Sequence, residues 1–179
     1  MSRKGVKLLA ILFISSASVA WAFTAEESAS DEMTVAKMAA IIGQIDEDAQ
    51  AGTNRITFAV GERELVLVYD ESADRMRLMV PIAKASDLSD EALMRLMQAN
   101  FDSALDARYA VAQGIVWGAF IHPLSSLTEK DFLLGIYQTV SVAETFGSSY
   151  SSGIMMFGGG DSGELDKKKL LDRLKDLAT

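Results

Sequence analysis

The spacing of apolar residues predicts three amphipathic helices and a short fourth one near the C-terminus. The first covers residues 33–45, with Asp31 or Thr34 near its N-cap. The second follows Ser89, whose hydroxyl can cap a helix that begins with two acids. The third follows Thr128, which has an acid three residues later, as in a capping box. The apolar stripes predicted for the second and third helices are Leu93, Leu96, Met97 and Phe101, and Phe132, Leu133, Ile136, Val140 and Ala143.

Strand patterns occupy the stretches between these helices. We predict strands over 56–60, 65–69, 75–82, 105–112 and 115–121. Gly61-Glu62 and Gln113-Gly114 are the predicted tight turns, and Pro81 marks the end or an edge of its strand. Trp117 and Phe120 fall on opposite faces. The order between residues 33 and 147 is therefore α-β-β-β-α-β-β-α, which predicts an α+β domain whose antiparallel sheet is packed against helices.

The first 22 residues have the composition of a secretory signal peptide. A basic start is followed by an apolar run over 8–14 and by small residues that allow cleavage after Ala22 or Ala20. The apolar run is too short for a membrane-spanning helix. We therefore expect an exported protein, periplasmic or secreted, with no stable membrane span after cleavage. Residues 23–32 are predicted to form a flexible leader.

Charge and composition narrow the possible functions. The net charge is −8, and removal of the basic residues Arg3, Lys4 and Lys7 makes it −11. Such an acidic chain has no basic face to neutralise phosphates, so we do not expect nucleic acid as a partner. The chain has no cysteine, which excludes disulfides, thiol catalysis and cysteine zinc sites.

Three stretches resemble the type III secretion chaperone-like fold, which is shared by the CesT-type chaperones and the YbjN-like family. They are Ala99-Asn100-Phe101, the hairpin end over 118–124 and the helix start over 127–132. The resemblance implies a small acidic protein that binds other polypeptides, often as a dimer, without catalysis. The signal peptide departs from that pattern, because secretion chaperones act in the cytoplasm. The resemblance thus implies the fold and a binding habit rather than effector loading.

Few residues offer catalytic chemistry. His122 is the only histidine, and it has no cysteine or second histidine beside which it could hold a metal. We therefore predict no catalytic, cofactor-binding or metal-binding residue, and interpret His122 as structural. The acidic turns over 46–48 and 70–74 could bind calcium, but neither has the ligand spacing of a calcium loop. A small-ligand or metal-sensing domain that uses these turns is our alternative function.

The favoured hypothesis is a non-enzymatic, chaperone-like or adaptor-like module that binds a polypeptide partner or a second copy. One candidate surface is a sheet face, and the other is the C-terminal tail over 148–179, a Ser/Gly-rich linker with a short amphipathic helix. The tail could dock on the domain or on a partner. The candidate residues are Val111, Ile115, Trp117, Met155, Met156, Phe157, Leu170, Leu171 and Leu174. The methionines Met38, Met76, Met94 and Met97 either fill the core, as we expect, or line an adaptable surface.

Overall fold

The computed structural model describes residues 33–151 and 172–176. The predicted signal peptide and leader lie outside the described residues. So do five candidate binding residues, namely Met155, Met156, Phe157, Leu170 and Leu171.

The order of helices and strands agrees with the predicted one, with one additional short strand. The helices are α1 (Val35–Ile45), α2 (Asp90–Asp102) and α3 (Glu129–Glu144), and residues 172–176 are also helical. The strands are β1 (Gln50–Ala51), β2 (Arg55–Val60), β3 (Arg63–Asp70), β4 (Arg75–Lys84), β5 (Arg108–Ala112) and β6 (Ile115–His122). The additional strand β1 has two residues, too few to show a sequence period.

The predicted caps Ser89 and Thr128 are confirmed, and Thr34 is the N-cap of the first helix, which begins at Val35 and not at residue 33. The hydroxyls of Thr34, Ser89 and Thr128 each accept a hydrogen bond from a backbone N–H in the first turn of their helix. Thr128 and Asp131 form the complete capping box. In the described part of the chain, no helix combines the length and the apolar content that crossing a membrane requires.

The six strands form one antiparallel sheet in the order β1-β2-β3-β4-β6-β5. The architecture is therefore α+β, as predicted. Because β6 pairs with β4, the preceding strand β5 is placed at the edge. β4 continues beyond the predicted end to Lys84, with a register shift just after Pro81.

Among the residues that the structure describes, helices bury one face of the sheet. Its side chains include Ile56, Phe58, Val60, Leu65, Leu67, Met76, Leu78, Val80, Val116 and Phe120, all buried in one core. α1 packs on β2, and α3 packs on β4, β5 and β6. On the opposite face, half-buried apolar residues alternate with exposed charges such as Arg77 and Glu64. This pattern is typical of an antiparallel sheet that is open on one side.

Two glycines let α3 approach the sheet closely. A Cβ at Gly135 of α3 would lie 2.6 Å from the Phe120 ring. A Cβ at Gly118 of β6 would lie 2.5 Å from a Val142 methyl and 3.0 Å from a Val80 methyl. α3 therefore lies so close to the sheet that only glycine fits at positions 118 and 135.

We predict opposite effects for two glycine-to-alanine substitutions. Gly135→Ala gains helix propensity but overpacks the core, so we expect a net loss of about 1–2 kcal/mol in unfolding free energy. Gly43→Ala on α1 meets nothing within 4 Å. It should therefore raise stability by about 0.5–1 kcal/mol. Urea unfolding of both variants measures the change in unfolding free energy. Stabilisation by Gly135→Ala would contradict the close approach of α3 to the sheet.

Candidate protein-binding surface

The outward side of α2 exposes three large apolar side chains. Met94 is 60% exposed, Met97 is 49% exposed and Phe101 is 91% exposed. Their spacing of three and seven residues places them on one helix face, one turn after the other. We call these three residues the α2 outer face.

The apolar stripe predicted for α2 was partly wrong, because Met97 and Phe101 are exposed. Of the stripe residues, Leu96 is buried and Leu93 is half-buried, whereas Met97 and Phe101 point away from the core. Because α2 lies beside the edge strand β5 rather than over the sheet, only a narrow strip around Leu96 and Ala99 is covered. The expectation that Met94 and Met97 fill the core was also wrong, although Met38 and Met76 are buried as expected.

Asn100 attaches α2 to the edge of the sheet. Its amide oxygen accepts a hydrogen bond from the Tyr109 backbone N–H at 2.7 Å, and its amide nitrogen donates to the Tyr109 carbonyl oxygen at 2.9 Å. One side chain thus satisfies both backbone groups of an edge residue, as a neighbouring strand would. Arg108 adds a hydrogen bond from its guanidinium to the Asn100 carbonyl oxygen at 3.0 Å.

Tyr109 connects this attachment to α3. Its hydroxyl donates to the Val142 carbonyl oxygen at 2.7 Å, and burial raises the pKa of the phenol. Gln138 of α3 makes a second connection, because its amide oxygen accepts hydrogen bonds from the backbone N–H groups of Asp106 and Ala107 at 2.9 and 3.0 Å. The inner side of α2 and the loop after it are therefore held by specific polar contacts.

The segment after α3 packs against the flank of α2. The Ser103 hydroxyl donates to the Tyr150 carbonyl oxygen at 2.7 Å, and the Arg95 guanidinium lies 5.4 Å from the centre of the Tyr150 ring. Tyr150 also contacts the rings of Tyr109 and Phe146 edge-on. Within the described part of the chain, these contacts leave the α2 outer face exposed.

Acids lie at both ends of the α2 outer face. Asp90 and Glu91 form the first turn, and Asp102 follows Phe101. Hydrogen bonding to its own backbone N–H and to the Ser89 hydroxyl lowers the pKa of Glu91. The one basic residue within the helix, Arg95, lies over Tyr150 and 3.9 Å from an Asp102 carboxylate oxygen. The helix therefore presents an apolar centre with two acids at its N-terminal end and one acid, partly offset by Arg95, at its C-terminal end.

The predicted sheet-face candidates do not share one face. Val111 pairs with Val116, whereas Ile115 pairs with Ala112, so Val111 lies on the helix side and Ile115 and Trp117 lie on the open side. Val111 is 51% exposed, but Ile115 and Trp117 are half-buried. The Trp117 indole N–H also donates to the Ala112 carbonyl oxygen at 3.1 Å. The most exposed apolar residue on the open side is Ile121, at 50%.

Leu174 is fully buried in the hydrophobic core of the domain. This position favours intramolecular packing for the part of the tail that carries Leu174. The residue is therefore not accessible to a partner in this structure, and we remove it from the set of binding candidates.

A polar cleft of about 370 Å³ surrounds His122, with Asp106, Arg108 and Asp131 in its lining. His122 Nδ1 lies 2.8 Å from the Pro123 carbonyl oxygen, and its ring stacks on Phe120. Both carboxylates are engaged, Asp131 with the Thr128 hydroxyl at 2.6 Å and Asp106 with the Gln138 amide at 3.2 Å. The contacts of His122 are those of a residue that ends a strand.

The acidic turns use their carboxylates to hold the backbone. Asp46 accepts hydrogen bonds from the N–H groups of Asp48 and Ala59, at 3.0 and 2.7 Å. Asp74 accepts from the Ser125 N–H and hydroxyl, both at 2.7 Å, and the hydroxyl contributes most to the lowering of its pKa. Ser72 and Ala73 lower the pKa of Asp70 in the same way. Within 33–151 and 172–176, no group of three metal-ligating side chains is placed to hold a metal ion.

Comparison with known proteins adds no family assignment. No protein-family model matches the chain, and no curated protein matches it.

We predict that Asn100→Ala destabilises the domain by about 1–3 kcal/mol, because it leaves the Tyr109 N–H and C=O without their partner. Gln98→Ala, another amide on α2 but fully on its exposed side, should change stability by less than about 0.5 kcal/mol. Urea unfolding compares the two, and exchange of the Tyr109 amide proton should accelerate only in Asn100→Ala. Equal stability of the two variants would show that Asn100 does not hold α2.

Proposed function

We propose that this chain is a non-enzymatic, exported protein-binding module of the chaperone-like or adaptor-like kind, which holds a polypeptide partner on the α2 outer face. The observation that carries the proposal is the exposure of Met94, Met97 and Phe101 side by side on one helix. The predicted signal peptide supports an extracytoplasmic location for this activity. The resemblance to the secretion chaperone-like fold supports a binding role.

Covering these three side chains would stabilise a complex, because apolar surface would be removed from water. Burying a Phe or Met side chain completely stabilises a protein or a complex by about 1.5–3 kcal/mol. Scattered exposed apolar residues are ordinary, but three in one contiguous stripe mark an interaction surface. A Phe exposed to 91% at the end of a helix can become the central anchor of an interface once a partner covers it.

The contacts on the inner side of α2 are consistent with a binding role for its outer face. The inner side of α2 is fixed by Asn100 and Leu96, so a partner meets a helix whose backbone is already positioned. The two methionines have flexible, polarisable side chains that adapt to different partner shapes. Asn100 and Phe101, two of the residues on which the family resemblance is based, thus have distinct roles. Asn100 attaches the helix, and Phe101 is available to a partner.

We expect a photoreactive benzoyl-phenylalanine at position 101 to crosslink a discrete polypeptide when the full chain, signal peptide included, is produced in its own cells. The aromatic replacement preserves the character of Phe101. The same photoreactive residue at position 121, an apolar site of similar exposure to Met97 but on the open sheet face, is the matched control and should give no such product.

The adduct at position 101 should disappear when Met94→Ser and Met97→Ser are combined, because these changes remove the rest of the stripe. Equal products at positions 101 and 121 would contradict the assignment of α2 as the binding surface. A product with the mass of a single copy would show that the chain covers this face with its own residues, and would also contradict the proposal.

A further inference from the structure

We propose that the occupant of the α2 outer face is a cationic amphipathic segment, one that presents an apolar stripe flanked by Lys or Arg, rather than a second copy of this chain. The inference rests on the proposed function, because it specifies the partner chemistry of the same surface. The observation behind it is the placement of charge around Met94, Met97 and Phe101.

The helical repeat determines where each acid of α2 lies relative to the three apolar side chains. With about 100° per residue, Asp90 falls on the same face as Met94 and one turn before it, and Glu91 lies beside it. Asp102 lies beside Phe101 at the other end. A segment covering the three apolar side chains must therefore pass acids at both of its ends.

The nearby arginines offset only part of this negative charge. Arg95 lies on the flank of α2, over the Tyr150 ring and 3.9 Å from an Asp102 carboxylate oxygen, so it partly offsets the charge of Asp102. Arg108 donates to the Asn100 carbonyl oxygen beside the C-terminal end of α2. Both guanidinium groups are committed to contacts within the domain.

A second copy fits this surface poorly in either symmetric arrangement. If two α2 helices pack antiparallel, Asp90 and Glu91 of one copy face Asp102 of the other. If they pack parallel, each acidic end faces its own equivalent. In both cases carboxylates face carboxylates, with Arg95 beside Asp102 offsetting only part of their charge, and like charges brought together across an interface disfavour association. The net charge of −8 over the full chain adds to this repulsion.

A partner helix with Lys or Arg beside its apolar stripe places positive charges against the acids of α2. Its apolar residues cover Met94, Met97 and Phe101. Its cations lie near Asp90 and Glu91 at one end, and near Asp102, whose charge Arg95 only partly offsets, at the other. Docking of an amphipathic helix by its apolar residues, with selectivity supplied by flanking charges, is a recurrent mode of peptide recognition.

The test uses a labelled peptide of about 14 residues, or four helical turns, composed only of Leu and Lys in an amphipathic pattern. Two counterparts carry Glu or Gln at every Lys position. Fluorescence anisotropy measures each affinity for the full chain at about 0.05 M and about 0.3 M salt. Size-exclusion chromatography of the protein alone reports self-association.

We expect the Lys peptide to bind at least about tenfold more tightly than the Gln peptide and to weaken as salt rises. The Glu peptide should bind most weakly. Phe101→Ser should weaken the Lys peptide by about tenfold or more, since Ser has a helix propensity similar to that of Phe. Glu91→Gln combined with Asp102→Asn should weaken it by about three- to tenfold with the apolar stripe intact. Ile121→Thr, on the open sheet face, should leave the affinity within about twofold.

The outcomes separate the two proposals. Equal binding of the Lys, Gln and Glu peptides, lost in Phe101→Ser, would overturn the charge inference and keep α2 as a binding surface. Self-association lost in Phe101→Ser would do the same, with a second copy as the occupant. Binding that Phe101→Ser does not alter would overturn both proposals, as would the absence of both peptide binding and self-association.

Discussion

The close approach of α3 to the sheet determines where the other helices can pack. A side chain at Gly135 of α3 would overlap Phe120, and one at Gly118 of β6 would overlap Val142 of α3, so α3 lies close against the part of the face formed by β4, β6 and β5. α1 covers the β2 side of the same face. The remaining helix, α2, is therefore left beside the edge strand β5, where it can bury only one narrow side.

The position of α2 explains why its attachment is polar and its outer face is apolar. Little buried surface holds this helix, and the two hydrogen bonds between Asn100 and Tyr109 supply the specificity that packing alone would not. They also cover the exposed edge of β5 at Tyr109, where another strand could otherwise pair. With the inner side held in this way, Met94, Met97 and Phe101 remain free for a partner. The same arrangement thus protects one edge of the sheet and presents an apolar surface.

Much of this fold could be predicted from local patterns, because caps and periodicity are local. Ser89 and Thr128 marked their helix starts correctly, and every stripe residue predicted for α3 is buried. The apolar stripe predicted for α2 was partly wrong, because apolar residues occur on both sides of that helix. Periodicity alone does not indicate which side packs against the sheet. The expectation that Val111 shares a sheet face with Ile115 and Trp117 was wrong for a related reason, since the face of Val111 depends on its pairing with Val116 across the turn. The surface of α2 therefore required tertiary structure, although the spacing of Met94, Met97 and Phe101 was visible in the sequence.

Methyl NMR of the full chain, labelled at its methionines and titrated with the Leu/Lys peptide, shows directly where the peptide binds. Met94 and Met97 report on the α2 outer face, Met38 and Met76 on the core, and Met79 on the open sheet face. If the peptide binds the α2 outer face, the Met94 and Met97 signals shift with the peptide concentration while those of Met38, Met76 and Met79 stay in place. A shift of Met79 with Met94 and Met97 unchanged would place binding on the open sheet face and contradict binding at α2.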